Sequence, residues 1–340
     1  MSNKYRNIFL AIGVLSVVVM LCTFDMSYTD VWAGLRRAGY WFPACVALWL
    51  VIYMMNALGW RAIINDGSVR PLGYWRILKY TVTGFALNNV TPVGLLGGEP
   101  YRIMELTPLV GAAKATSSVL LNSMMHIFSH FCFWVFSIVL YLVLYGRTMS
   151  VGMGVLLLAC SLFCGLGVYF FLRGYRDGLA MRALCFFGRW PFIGPRIRRF
   201  TSTHVETIDN VDRQIAQLHA ERPGAFYFSL AMEFLARMLG CFELQFILFI
   251  LTPDVSYWDC VLMQAFTSLM ANLLFIIPMQ MGTREGGLAI VTDSLNMSGG
   301  YGVLTGLITR LRELIWVAIG LALMKVNNKL LPSSKPQKRL

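Results

Sequence analysis

Apolar runs close to membrane-crossing length recur along this chain, separated by short polar segments. Ile8–Phe24, Trp41–Trp60, Thr116–Tyr145, Val151–Leu172, Ala225–Leu251 and Val303–Val326 each approach the roughly 20 residues a helix needs to cross a bilayer. Two stretches break the pattern. Residues 80–107 start as an apolar arm, Tyr80–Val90, too short to cross, then meet Pro92, three glycines and several charges. Residues 259–301 do the same around a second proline and glycine cluster. Because proline and glycine stop helices, and lipid tolerates irregular backbone only where protein or a cavity shields it, both stretches read as broken turns with a purpose.

The two breaks share a pattern. Pro92-Val93-Gly94-Leu95-Leu96-Gly97-Gly98-Glu99 and Pro278-Met279-Gln280-Met281-Gly282-Thr283-Arg284-Glu285 each run proline, six residues, glutamate. Glycine sits inside the first, and Gly282, Gly286 and Gly287 sit in or beside the second. Pro92, Gly94, Gly97, Gly98, Pro278, Gly282, Gly286 and Gly287 are therefore the expected hairpin-shaping residues.

Charge sets the orientation. Lys4 and Arg6 precede the first span, and Arg61, Arg70, Arg76 and Lys79 follow the second; both places read as cytoplasmic. Arg173 to Arg222 is rich in arginine and reads as a cytoplasmic insert, with Val205, Ile208, Val211, Ile215 and Leu218 forming the apolar stripe of an amphipathic helix. Counting backwards from that insert, residues 80–107 begin and end on the cytoplasmic side, while 259–301 begin and end outside. The expected architecture is an all-α polytopic membrane protein in one transmembrane domain, 1–340. It comprises two inverted repeats, 1–146 and 151–327, with opposed re-entrant hairpins at 80–107 and 259–301, an insert at 173–224 and a basic tail at 328–340. About six full spans result; two full spans in place of each hairpin would give eight or more.

Composition agrees with a membrane protein. The 340 residues are 57% hydrophobic and 14% charged, where soluble domains carry nearer a quarter. The formal charge of +12 clusters beside apolar spans, a pattern that matches anionic lipid, so no nucleic-acid partner is expected. Eight scattered cysteines contain no Cys-x-x-Cys pair, which speaks against a zinc ribbon or a disulfide framework. Leu21-Cys22 lacks the small residues of a cleavage site, so the first run is an uncleaved span.

Chemistry, where it exists, should sit on charges inside the spans, because a charge at the bilayer centre costs about 2.5–3.5 kcal/mol on insertion scales. Glu99 and Glu285 hold matching places in the two hairpins, with Arg102 and Arg284 as partners; the plainer reading is that each pair fastens its hairpin. Arg310 and Glu313 are three apart in the last span and can pair, while Arg312 points elsewhere. An arginine at mid-depth suits a phosphate, since its fork makes two parallel charge-assisted bonds; an interhelical salt bridge explains it equally well. His126 and His130 lie four apart but lack the glutamate of a zinc-protease helix, so no metal is expected and a polar stripe is the better reading. Asn88, Asn89 and Thr91 suit backbone groups freed at the hairpin tip. The expected substrate-contacting set is Glu99, Arg102, Arg284, Glu285, Arg310, Arg312, Glu313, Asn89 and His126.

At Pro92–Glu99 with Arg102, and Pro278–Glu285 with Gly286 and Gly287, the chain resembles the flippase-like membrane domain of bacterial lysylphosphatidylglycerol synthases, the multiple peptide resistance factor family, and its stand-alone relatives. The resemblance spans residues 5–327. It implies a bacterial inner-membrane protein, both termini cytoplasmic, moving a phospholipid or polyprenyl-linked lipid between leaflets without a cofactor. Bifunctional members add a soluble aminoacyl-transferase domain; with a basic tail ending at Leu340, lipid aminoacylation is not expected here. The other readings are an integral membrane transferase using Glu99 or His126 as base on a lipid-linked substrate, and a non-transporting scaffold. A homo-oligomer is compatible with any of them.

Overall fold

Helices dominate because most of the chain is apolar with few interior helix breakers, and in lipid every backbone group must find its partner internally. The computed structural model describes residues 36–65, 71–90, 97–177, 222–250, 255–273 and 300–326, with isolated positions elsewhere. Within them run α1 (Trp41–Ile64), α2 (Tyr74–Val90), α3 (Gly98–Val110), α4 (Ala112–Tyr145), a 3-10 turn at Gly146–Thr148, α5 (Val151–Asp177), α6 (Pro223–Leu248), α7 (Tyr257–Leu273) and α8 (Gly300–Lys325). No strand occurs among the described residues. The run at 8–24, most of the insert and the tip of the second hairpin, with Arg284 and Glu285, lie outside the described residues, as do Pro92, Gly94 and the tail.

Among the described residues four helices are long and apolar enough to cross a membrane: α1, α4, α5 over Val151–Arg173, and α6. Helix α8 has the length, at 26 residues, but carries Arg310, Arg312 and Glu313. Helices α2 and α3, of 17 and 13 residues, are the arms of the first break.

The first arm begins earlier than Tyr80, at Tyr74. Sequence reasoning assigned Lys79 to a cytoplasmic loop on its charge. Its side chain is instead buried within α2, and Nζ donates to the Val326 carbonyl at 2.6 Å, where the negative end of the α8 dipole receives it. The arms close on glycine. A Cβ at Gly98 would strike the Gly84 carbonyl and Asn88, and a Cβ at Gly84 would strike the Arg102 guanidinium. Farther along, a Cβ at Gly320 would strike Ala86, so α8 lies tightly along α2.

The main apolar core joins α1, α2 and α8 through Tyr53, Trp60, Tyr80 and Trp316, with Leu106 of α3 packed beneath. Helix α1 lies along α6, and Gly59 meets Ser229 at that crossing. Helix α5 differs: Val155, Leu158, Leu162 and Phe170 are all exposed, and it meets the bundle mainly through α4, where Phe128 stacks on Phe171 at 4.2 Å. Six cysteines among the described residues are free thiols.

Candidate functional site

Two charged clusters occupy the interior, built by different helices. Asn88, near the end of α2, accepts a bond from the Gly98 backbone N–H at 2.7 Å through Oδ1, capping α3 where four backbone N–H groups lack partners. Its Nδ2 reaches Glu99 Oε1 at 3.3 Å, which also receives Ser123 Oγ of α4 at 3.4 Å and Arg102 Nη1 at 3.5 Å. Glu99 Oε2 is buried with no partner among the described residues. Arg102 reaches past Gly84 to donate Nε to the Tyr80 carbonyl and Nη2 to the Thr81 carbonyl, both at 3.2 Å, with its guanidinium over the Trp60 and Phe85 rings. Asn89, beside Asn88, is exposed. The tip asparagine that satisfies backbone is thus Asn88.

In α8, Arg310 Nη1 meets Glu313 Oε2 at 3.4 Å on one face. Arg312 points away, into the bundle. Its Nε and Nη2 grip the two oxygens of Glu243 in α6 at 2.7 and 2.9 Å, and Trp49 Nε1 donates to the same carboxylate at 2.8 Å. The guanidinium lies 3.9 Å from the Trp49 ring centroid, with Glu313 Oε1 at 3.8 Å from Nη2. With Arg312 at 1% exposure and Glu243 at 4%, this ion pair is buried.

Beside it opens a cavity of about 130 Å³ between α1, α4, α6 and α7. Its polar wall presents Asn56, His126, His130, Glu233, Arg237 and Glu243, with Gln264 and Ser268 from α7; Trp49, Ile52, Phe85 and Phe133 form the apolar wall. His126 Nδ1 lies 2.9 Å from Glu233 Oε2. Arg237, one turn after Glu233, donates Nε to Ser129 Oγ at 2.6 Å and Nη2 to the His126 carbonyl at 2.7 Å. The His126 and His130 rings meet edge to face at 5.5 Å. His126 sits 14 residues into α4 and 19 from its end, so at 1.5 Å rise per residue the site is about 21 Å and about 28 Å from the two ends. That is far from either helix end.

Of the substrate-contacting set expected from sequence, the structure brings His126 to the cavity. Arg102 and Arg312 are buried outside its lining, Glu99, Arg310 and Glu313 lie partly buried in their own clusters, and Arg284 and Glu285 fall outside the described residues. Glu233, Arg237 and Glu243 were missed. The signal was present: three charges inside the Ala225–Leu251 run cost as much in lipid as Glu99 does. Among the described residues no group of three His, Cys, Asp or Glu side chains is placed to hold a metal.

Long apolar helices around buried, hydrogen-bonded charges define a multi-pass helical membrane protein. The chain belongs to the family whose model is described as the lysylphosphatidylglycerol synthase TM region, which matches residues 8–320. No curated protein and no solved structure matches it. The family match covers the transmembrane part of those synthases and implies a membrane, lipid-related function.

Proposed function

We propose that the chain is a flippase that moves a phosphate-containing lipid between the leaflets of a bacterial inner membrane, with both termini cytoplasmic. The observation that carries this reading is the charged cavity far from either end of the long helix α4, where lipid would otherwise forbid unpaired charge. In this reading the first hairpin and its counterpart at 259–301 belong to two inverted repeats, 1–146 and 151–327, and the cavity between their helices opens to one leaflet at a time. Glu99 and Glu285 contact a cationic part of the headgroup or exchange a proton. Arg284 and Arg310 guide the headgroup, while Arg102 and Arg312 brace the cavity walls.

Reconstitution into sealed proteoliposomes carrying a fluorescent phospholipid tests this. Wild type should move the lipid faster than empty vesicles, and Glu99→Gln and Glu285→Gln should each slow it while leaving the folded yield unchanged. Wild-type vesicles that match empty ones across phosphate-bearing lipids would overturn the reading. One observation favours a second reading, an integral membrane transferase on a lipid-linked substrate: His126 oriented by Glu233 is a ready general base. Product formation in detergent, without a second compartment, distinguishes it.

A further inference from the structure

The cavity described above contains polar atoms that the fold itself leaves unsatisfied. Asn56 is 5% exposed, lines the cavity, and its Oδ1 has no partner. His130 Nδ1 is likewise buried and unpartnered. A buried polar group without a hydrogen bond is costly, so a site that keeps two of them beside an open volume is shaped for something polar that enters. Arg237 points the same way. Its Nε and Nη2 are fixed on Ser129 and the His126 carbonyl, while Nη1 has no partner among the described residues. A guanidinium held by two anchors, with its remaining edge beside open volume, is a preorganised oxyanion seat.

Size and charge narrow the occupant. At about 130 Å³ the cavity holds roughly four waters, enough for a phosphate ester and too little for a glycerol backbone and chains. Among the charges facing it, Glu243 is neutralised by Arg312, and Glu233 is balanced by Arg237. The acidic groups facing the cavity are thus compensated, and an entering anion meets no net negative charge.

We infer that this cavity seats the phosphate oxyanion of a lipid headgroup on Arg237, assisted by Asn56 and His130. The inference rests on the flippase reading for its lipid source but makes its own demand on binding. It assigns the headgroup to a residue the sequence did not mark, and it places Arg102 and Arg312 outside the seat.

The test is binding by the full chain in detergent micelles, read by titration calorimetry. The probes are dihexanoyl phosphatidylglycerol, dihexanoylglycerol, which lacks the phosphate, and inorganic phosphate. The phosphatidylglycerol should bind at least about tenfold more tightly than the diacylglycerol, the worth of one charge-assisted bond. Arg237→Lys, which keeps the charge and loses the fork, should weaken binding by about tenfold. Asn56 Oδ1 accepts no hydrogen bond among the described residues, so Asn56→Leu should weaken binding with the melting temperature retained. Equal affinity for the two glycerolipids, or unchanged affinity in both Arg237→Lys and Asn56→Leu, overturns the seat. Inorganic phosphate binding as tightly as the lipid overturns the headgroup as occupant. Wild type that binds the phospholipid but does not flip it leaves the seat standing and removes the flippase reading; wild-type flipping by Arg237→Gln does the reverse.

Discussion

Two arginines in the bundle interior, one that the sequence marked and one that it did not, occupy opposite situations: Arg312 is held by a carboxylate, and Arg237 is held by neutral oxygens. Arg312 gives two bonds to Glu243, lies on Trp49 and stands beside Glu313 at 1% exposure. Arg237 uses two nitrogens on α4 and turns its remaining edge beside a cavity that holds unsatisfied groups. The difference teaches how to sort intramembrane charge. Cost in lipid identifies both residues as important, and what their nitrogens hold, a carboxylate in one case and neutral oxygens in the other, tells a brace from a receptor.

The largest effect should come from breaking the brace. Removing one partner of a buried pair leaves the other charge stranded, worth about 3–5 kcal/mol. Arg312→Ala should therefore collapse the monodisperse folded fraction seen by fluorescence size exclusion, and Arg312→Met with Glu243→Leu should restore much of it. If Arg312→Ala instead stays folded and loses only lipid affinity, the contrast between the two arginines is gone. Gly84→Ala should come next. The new Cβ must displace Arg102 from the Tyr80 and Thr81 carbonyls, an overpacking cost of about 1–3 kcal/mol readable as a lower melting temperature. Smallest of all, Leu158→Ala on the outward face of α5 should change stability by no more than about 0.5 kcal/mol in the same melting assay.

These predictions also mark what the chain declares openly. Four of the expected spans, α1, α4, α5 and α6, were legible because composition and run length suffice for them. So was the pairing of Arg310 with Glu313, because three residues along a helix is a short and definite distance. The partner of Arg312 was not, since Glu243 lies 69 residues away and only the packing of α6 against α8 joins them. Lys79 misled for a related reason. Charge rules describe lysines that meet lipid headgroups, and this one meets a helix terminus instead. Asn88 and Asn89 were indistinguishable in sequence; which of two neighbours turns toward Gly98 depends on helical phase at the end of α2.

The tight lie of α8 along α2 has a consequence for motion. Gly320 touches Ala86 midway, and Lys79 holds Val326 at the end, so a helix from late in the chain is riveted to an arm from early in it. Helices α1 and α6 are joined across the sequence in the same fashion. Any swing that opens the cavity must carry each such couple whole. In the flippase reading the hinge line would therefore run between partnerships drawn from both ends of the chain, and a cut at the sequence midpoint would sever those couples rather than separate them.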